Sequence, residues 1–111
     1  MSPKIKVLII DDNGIKASSL GMFLLLNGFD LGFPACSFEL AVEILANEIP
    51  DIVLMEINIQ GNEMECKKIA NFIDAFYHLP VIFMSNNEEQ LSKFKPSYNH
   101  IALSVSNENP H

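Results

Sequence analysis

Residues 4–12 read KIKVLIIDD, and this stretch decides the fold. The run over residues 4–10 is rich in β-branched side chains, has no polar break between Val7 and Ile10, and ends abruptly in two aspartates. Continuous apolar character is typical of a strand that is covered on both faces, as in a parallel sheet. A second run of this kind, residues 52–55, ends in Glu56. The two runs predict a parallel sheet with helices on both faces.

The rest of the chain alternates between short apolar runs and segments with helical periodicity. Ser37 is a candidate N-cap for the second helix, with Glu39 in its favourable first turn. Helices between strands imply right-handed parallel crossovers, so we expect a doubly wound α/β domain with strand order 2-1-3-4-5. The predicted strands are residues 4–10, 29–33, 52–55, 81–84 and 100–105, and the predicted helices are 15–26, 38–47, 63–76 and 88–94.

The length of 111 residues predicts one domain that spans residues 1–111. A fifth helix should close such a domain, but residues 106–111 read SNENPH, which is short, polar and contains proline. We therefore expect the last helix to be missing or truncated. Either the chain was cut from a longer protein, or the sheet face beside the first helix is partly uncovered, which would favour self-association.

The charge balance argues against nucleic acid as a direct partner. Fourteen acidic residues face seven lysines with no arginine, and a net charge of −7 repels phosphate backbones. No apolar run approaches the ~20 residues that a bilayer requires, and no secretory signal is evident, so we expect a cytoplasmic protein without membrane contact. Cys36 and Cys66 are expected to be free thiols, buried or half-buried. Six phenylalanines are predicted core residues: Phe23, Phe29, Phe33, Phe72, Phe76 and Phe83.

Polar side chains follow three of the predicted strands. Asp11 and Asp12 follow the first strand, Glu56 the third and Ser85 the fourth. Ligands of open parallel sheets bind beyond the carboxyl ends of the strands, so these side chains should converge. Like charges at such a point are unfavourable unless a cation or a shifted pKa relieves them, and a hard divalent cation such as Mg²⁺ suits carboxylate oxygens.

The segments VLIIDDN, DIVLMEINIQGN and PVIFMSNN resemble the receiver domains of bacterial two-component response regulators, which have a flavodoxin-like (CheY-like) fold. The resemblance covers the chain apart from the last helix. It implies that Asp11 and Asp12 match the acidic pair that helps to bind Mg²⁺, and that Glu56 holds the phospho-acceptor position. It also implies that Asn58 gives a backbone carbonyl to the metal and that Ser85 provides the hydroxyl that meets the phosphoryl group.

Two positions depart from the family pattern. The acceptor is Glu56 where the family has aspartate, and the strand-five lysine is absent in every register because no lysine follows Lys95. The extra methylene moves the carboxylate outward by about 1.3–1.5 Å, and displacements near 1 Å reduce phosphoryl-transfer rates roughly 100-fold. The aromatic switch position on strand five falls at Ile101, or at His100 if the register shifts by one, and neither is the family's tyrosine or phenylalanine.

The sequence thus predicts a receiver-like module of a two-component phosphorelay that is poorly phosphorylated or not phosphorylated, is not an enzyme, and acts by protein contact. The implied partners are a sensor histidine kinase, an output domain or a second copy of the chain, and the implied cofactor is weakly bound Mg²⁺. This interpretation requires that the acidic side chains lie together and that no lysine from elsewhere enters among them.

Other functions stay open at this point. One alternative is a receiver that accepts phosphate on Glu56 or Asp12 with Mg²⁺. An enzyme on the same architecture is another, but the DDNG sequence after the first strand would repel a flavin phosphate, and it lacks the Asp-x-Asp pattern of haloacid-dehalogenase-like phosphatases.

Overall fold

The computed structural model describes residues 3–85, 87, 89–90 and 101–102. The chain alternates between strands and helices. The strands are β1 (Lys6–Ile10), β2 (Asp30–Leu31), β3 (Ile52–Glu56), β4 (Val81–Met84) and β5 (Ile101–Ala102), and the helices are α1 (Gly14–Leu26), α2 (Phe38–Asn47) and α3 (Glu63–Phe76). The α/β alternation predicted from the sequence is confirmed over the described residues.

The five strands form one parallel sheet in the order β2-β1-β3-β4-β5, which confirms the predicted topology. In the central pair, Val7 of β1 aligns with Ile52 of β3, and Ile10 aligns with Met55. This register brings the carboxyl ends of β1, β3 and β4 to the same edge of the sheet.

Helix starts follow the capping residues. The side chain of Asn13 accepts a hydrogen bond from the Lys16 backbone N–H at the start of α1, and Ser37 accepts one from the Leu40 N–H at the start of α2, as predicted. Asn62 caps α3 in the same way. Each cap satisfies a backbone donor that would otherwise have no partner, so the helix begins at a defined residue.

Successive side chains of the strands enter two separate apolar layers. Leu8 and Ile10 of β1 pack with α2 and α3 in the larger core. Val7 and Ile9 face the opposite side, where they pack with Ala17 and Leu24 of α1 in the smaller core. The alternation explains why β1 is apolar at every position from Val7 to Ile10.

Several local predictions were wrong. Strand β2 is only two residues long instead of five. Among the predicted core phenylalanines, Phe23, Phe33 and Phe76 are 62%, 84% and 70% exposed. Phe23 is exposed because α1 presents Ala17, Gly21 and Leu24 to the sheet. Cys66 is buried, but Cys36 is exposed instead of half-buried.

Part of the predicted architecture lies outside the described residues. This holds for the fourth predicted helix beyond Glu89 and Gln90, for the ends of the fifth predicted strand, and for the missing or truncated last helix.

Candidate functional site

Three of the predicted site residues are buried at the carboxyl edge of the sheet. Asp11 follows β1 and is 4% exposed, Glu56 ends β3 and is 6% exposed, and Ser85 follows β4 and is 1% exposed. They are the only buried polar or charged residues among those that the structure describes. Buried polar groups are costly unless they have partners, so the contacts of these three define the site.

A lysine that sequence reasoning did not assign to the site lies between the two buried carboxylates. The Lys16 ammonium donates a hydrogen bond to Glu56 Oε2 at 2.7 Å, and it lies 3.7 Å from Asp11 Oδ2. Two carboxylates therefore share one cation. Asp11 and Glu56 lie together as predicted, whereas the prediction that no lysine would enter among the acids is wrong.

The start of α1 explains the position of Lys16. It is the third residue of the helix that Asn13 caps, and side chains in a helix tilt toward its N-terminus, which here follows the end of β1. A cation in the first turn is disfavoured by the helix dipole. A lysine in that turn, close in sequence to an acidic strand end, is thus a signal that could have predicted this pair.

Burial dominates the electrostatics of Asp11. Desolvation raises the pKa of its carboxyl above the usual value, while a hydrogen bond from the Asn13 N–H and the nearby Lys16 ammonium act in the opposite direction. The Glu56 and Asp12 charges raise this pKa further. Burial and the neighbouring acidic charges thus outweigh the two partners that favour the charged form, so the net shift of the Asp11 pKa is upward.

Asp12, the second member of the predicted acidic pair, has a different partner. It is exposed, and its Oδ2 accepts a hydrogen bond from the Gln60 backbone N–H at 2.6 Å. Gln60 has a φ of 56°, in the left-handed region, so this bond helps to hold a strained turn in the loop after β3. Asp12 thus ties the loop after β3 to the end of β1.

Asn58 and Ser85 meet at the side chain of Gln90, a residue that sequence reasoning also missed. The Asn58 and Gln90 side-chain amides form two reciprocal hydrogen bonds of 2.7 and 2.8 Å. Ser85 Oγ accepts from the Asn87 N–H at 3.0 Å and lies 3.4 Å from Gln90 Oε1. The hydroxyl thus closes a local turn after β4, and the amide pair joins that segment to the loop after β3.

As arranged, these residues do not fit a divalent cation. Lys16 lies against the oxygens of Asp11 and Glu56 that would serve as ligands. Among the described residues, no three or more histidine, cysteine, aspartate or glutamate side chains are grouped so that they could hold a metal ion. The Mg²⁺ site of Asp11, Asp12, Glu56 and the Asn58 carbonyl stays a prediction.

The strand-five features are only partly described. The backbone of Ile101, the predicted switch position, pairs with Ile82 of β4. His100, and the segment where the family's lysine would lie, fall outside the described residues.

Comparison with solved structures identifies the architecture. The chain superimposes on the N-terminal domain of a response regulator/sensory box/GGDEF three-domain protein from Carboxydothermus hydrogenoformans with a TM-score of 0.73 and 23% identity, over 94% of this chain and 83% of that one. The receiver domain of the Erythrobacter litoralis response regulator PhyR gives a TM-score of 0.70 and 25% identity, over 89% and 78% of the two chains. The fold is that of a response-regulator receiver domain.

Other comparisons show how far this structural likeness extends. The Brucella abortus response regulator PhyR gives a TM-score of 0.76 at 20% identity, with 95% of this chain covering 42% of that protein. No protein-family profile matches the chain, and no curated protein sequence matches it. The search for membrane-spanning segments, limited to the described residues, finds no helix of sufficient length and apolar character.

Proposed function

We propose that this receiver-like domain is a two-component signalling module that accepts phosphoryl groups poorly or not at all and acts by protein contact. The observation that carries the proposal is the ion pair between Glu56, at the position that matches the acceptor, and Lys16. The interpretation drawn from the sequence required that no lysine enter among the acids, and the position of Lys16 removes that ground. What supports the proposal instead is that the Lys16 ammonium engages the Glu56 carboxylate itself.

The ion pair reduces the ability of Glu56 to attack a phosphorus atom. Its Oε2 accepts a charge-assisted hydrogen bond at 2.7 Å, and such bonds contribute about 1.5–3 kcal/mol. An attack through that oxygen must first weaken the bond, which lowers the rate by about ten- to a hundredfold. The extra methylene of glutamate adds a displacement of about 1.3–1.5 Å from the position of an aspartate oxygen.

The surrounding hydrogen bonds favour the same conclusion. A transferred phosphoryl group would need the Ser85 hydroxyl as a donor. Ser85 is only 1% exposed, and its hydroxyl already has two acceptors nearby, the Asn87 carbonyl at 3.3 Å and Gln90 Oε1 at 3.4 Å. The reciprocal amide pair of Asn58 and Gln90 joins the flanking segments. A phosphoryl group would have to disrupt these contacts before it could bind.

An apolar surface on α1 supports action through protein contact. Ile15, Met22 and Leu26 are spaced by seven and four residues, which places them on one helix face. They are 82%, 58% and 79% exposed, and the adjacent Phe23 is 62% exposed. An exposed group of large apolar side chains is typical of a protein interaction site, and the partners we propose are a sensor histidine kinase, an output domain or a second copy of this chain.

The test is the intact mass of the protein after incubation with a small phosphodonor and Mg²⁺. We expect no near-stoichiometric phosphoryl adduct on the wild type, and a gain in Glu56→Asp, whose shorter carboxylate is drawn back from Lys16. A receiver with an aspartate acceptor, treated in parallel, verifies the donor. An adduct that forms in full on the wild type and disappears in Glu56→Gln would contradict the proposal.

The same ammonium favours a second candidate, a receiver that is phosphorylated with Mg²⁺. Lys16 lies beside Glu56, so after a rearrangement its charge would neutralise an oxygen of a transferred phosphoryl group. The mass measurement distinguishes the acceptors: an adduct lost in Glu56→Gln assigns the phosphoryl group to Glu56, and one lost in Asp12→Asn assigns it to Asp12.

A further inference from the structure

The buried carboxylates of Asp11 and Glu56 already have a cation, and it belongs to the chain. The Lys16 ammonium lies 2.7 Å from Glu56 Oε2 and 3.7 Å from Asp11 Oδ2. Both carboxylates are among the groups, with Asp12 and the Asn58 carbonyl, that the resemblance implies for a divalent ion at this edge of the sheet. A metal ion and the ammonium therefore compete for the same oxygens, and they repel each other.

The ammonium has two advantages over an ion from solution. It is covalently attached close to the carboxylates, so its binding costs no loss of translational freedom. Its backbone position is also fixed, because the Lys16 N–H is bonded to the capping side chain of Asn13. In addition, the exposed Asp12 carboxylate already accepts a hydrogen bond from the Gln60 N–H.

We propose that Lys16 acts as a built-in counter-ion that takes the place of the divalent cation, so that the site is neutralised without metal. Removal of the ammonium then converts the acidic edge of the sheet into a cation-binding site. This inference rests on the proposed match of Glu56 to the acceptor position, but it holds whether or not Glu56 accepts a phosphoryl group.

The experiment is a titration with Mn²⁺ alone, with free Mn²⁺ followed by electron paramagnetic resonance. Lys16→Met keeps the apolar stem and removes the charge. Lys4→Met is the matched control, because Lys4 is exposed and its loss changes the net charge of −7 by the same amount. We expect the wild type and Lys4→Met to bind Mn²⁺ equally weakly, Lys16→Met to bind it about tenfold more tightly or better, and Lys16→Met/Glu56→Gln to lose that gain.

Either of two results would overturn the inference. One is tight Mn²⁺ binding by the wild type at Glu56, and the other is a folded Lys16→Met protein that gains no affinity over Lys4→Met. If Lys16→Met does not fold, paramagnetic broadening of the wild-type amide signals by Mn²⁺ provides the test. Signals near Asp11 and Glu56 should stay sharp, and selective broadening there refutes the inference. No phosphodonor is present, so this outcome is separate from that of the phosphorylation experiment.

Discussion

Replacement of Lys16 by methionine should destabilise the fold measurably. The Glu56 side chain is 7% exposed and the Lys16 side chain is 29% exposed. Removal of one partner from a fully buried ion pair costs about 3–5 kcal/mol, whereas exposed pairs contribute about 0.2–1 kcal/mol. The partial exposure of Lys16 places this pair between the two cases, so we expect a loss of about 2 kcal/mol.

The assay is urea unfolding at neutral pH, followed by far-UV circular dichroism, with thermal unfolding in parallel. For a domain of 111 residues, a loss of about 2 kcal/mol corresponds to a decrease in Tm of roughly 8 °C. Lys4→Met should stay within about 0.5 kcal/mol of the wild type, because exposed side chains without buried contacts contribute little.

A double variant separates the ion pair from the packing of the lysine stem. In Lys16→Met/Glu56→Gln, the buried position no longer carries an uncompensated charge, so a substantial part of the lost stability should return. If Lys16→Met loses no more stability than Lys4→Met, the ammonium does not neutralise Glu56 in solution. In that case, both the proposed function and the built-in counter-ion lose their structural basis.

Three further outcomes follow from the structure. At pH 8 a thiol reagent should label only the exposed Cys36 in the native protein and both cysteines after unfolding. The reason is that burial protects Cys66 and raises the pKa of its thiol to about 12. Rapid labelling of both native thiols would contradict this. Asp11→Asn should raise Tm slightly at pH 7 and leave it unchanged near pH 3. An acid whose pKa is raised in the folded state costs stability only as the pH rises above its pKa in the unfolded state, which is 3.8 for Asp11. A loss of stability at pH 7 would mean that the Lys16 attraction exceeds the cost of burying the Asp11 carboxylate. Concentrated protein should self-associate through α1. The double variant Phe23→Lys/Leu26→Lys should weaken this association about tenfold or more in sedimentation velocity, with little effect on stability, since both side chains are exposed. Unchanged association in the variant would place the contact elsewhere.

The architecture was predictable because it depends on patterns that are local in sequence. The unbroken apolar run of β1 indicated burial on both faces, and the structure places Val7 and Leu8 in opposite cores. Alternation with helices then left few topologies, since crossovers are right-handed. The helix that follows Ser37 was also predictable, because capping depends on neighbouring residues.

Exposure of individual side chains was less predictable. Phe23 and Phe33 have core-like chemistry, yet both are largely exposed. For Phe23, the rotation of α1 against the sheet decides the exposure, and a Cβ added at Gly21 would lie 3.0 Å from the Leu31 side chain. That close approach depends on two segments that meet only in the folded chain.

The candidate site shows most clearly which features the sequence alone could not predict. Residue order alone determined that Asp11, Glu56 and Ser85 share one edge of the sheet, because parallel strands align their carboxyl ends. Tertiary structure decided which partner each of them has: Lys16 reaches Glu56 across 40 positions of sequence, while Asp12 faces the Gln60 N–H. Strand direction follows from patterns that are local in sequence. The pairing of buried charges depends instead on distances of a few ångströms between side chains on different elements, and only the completed packing sets those distances.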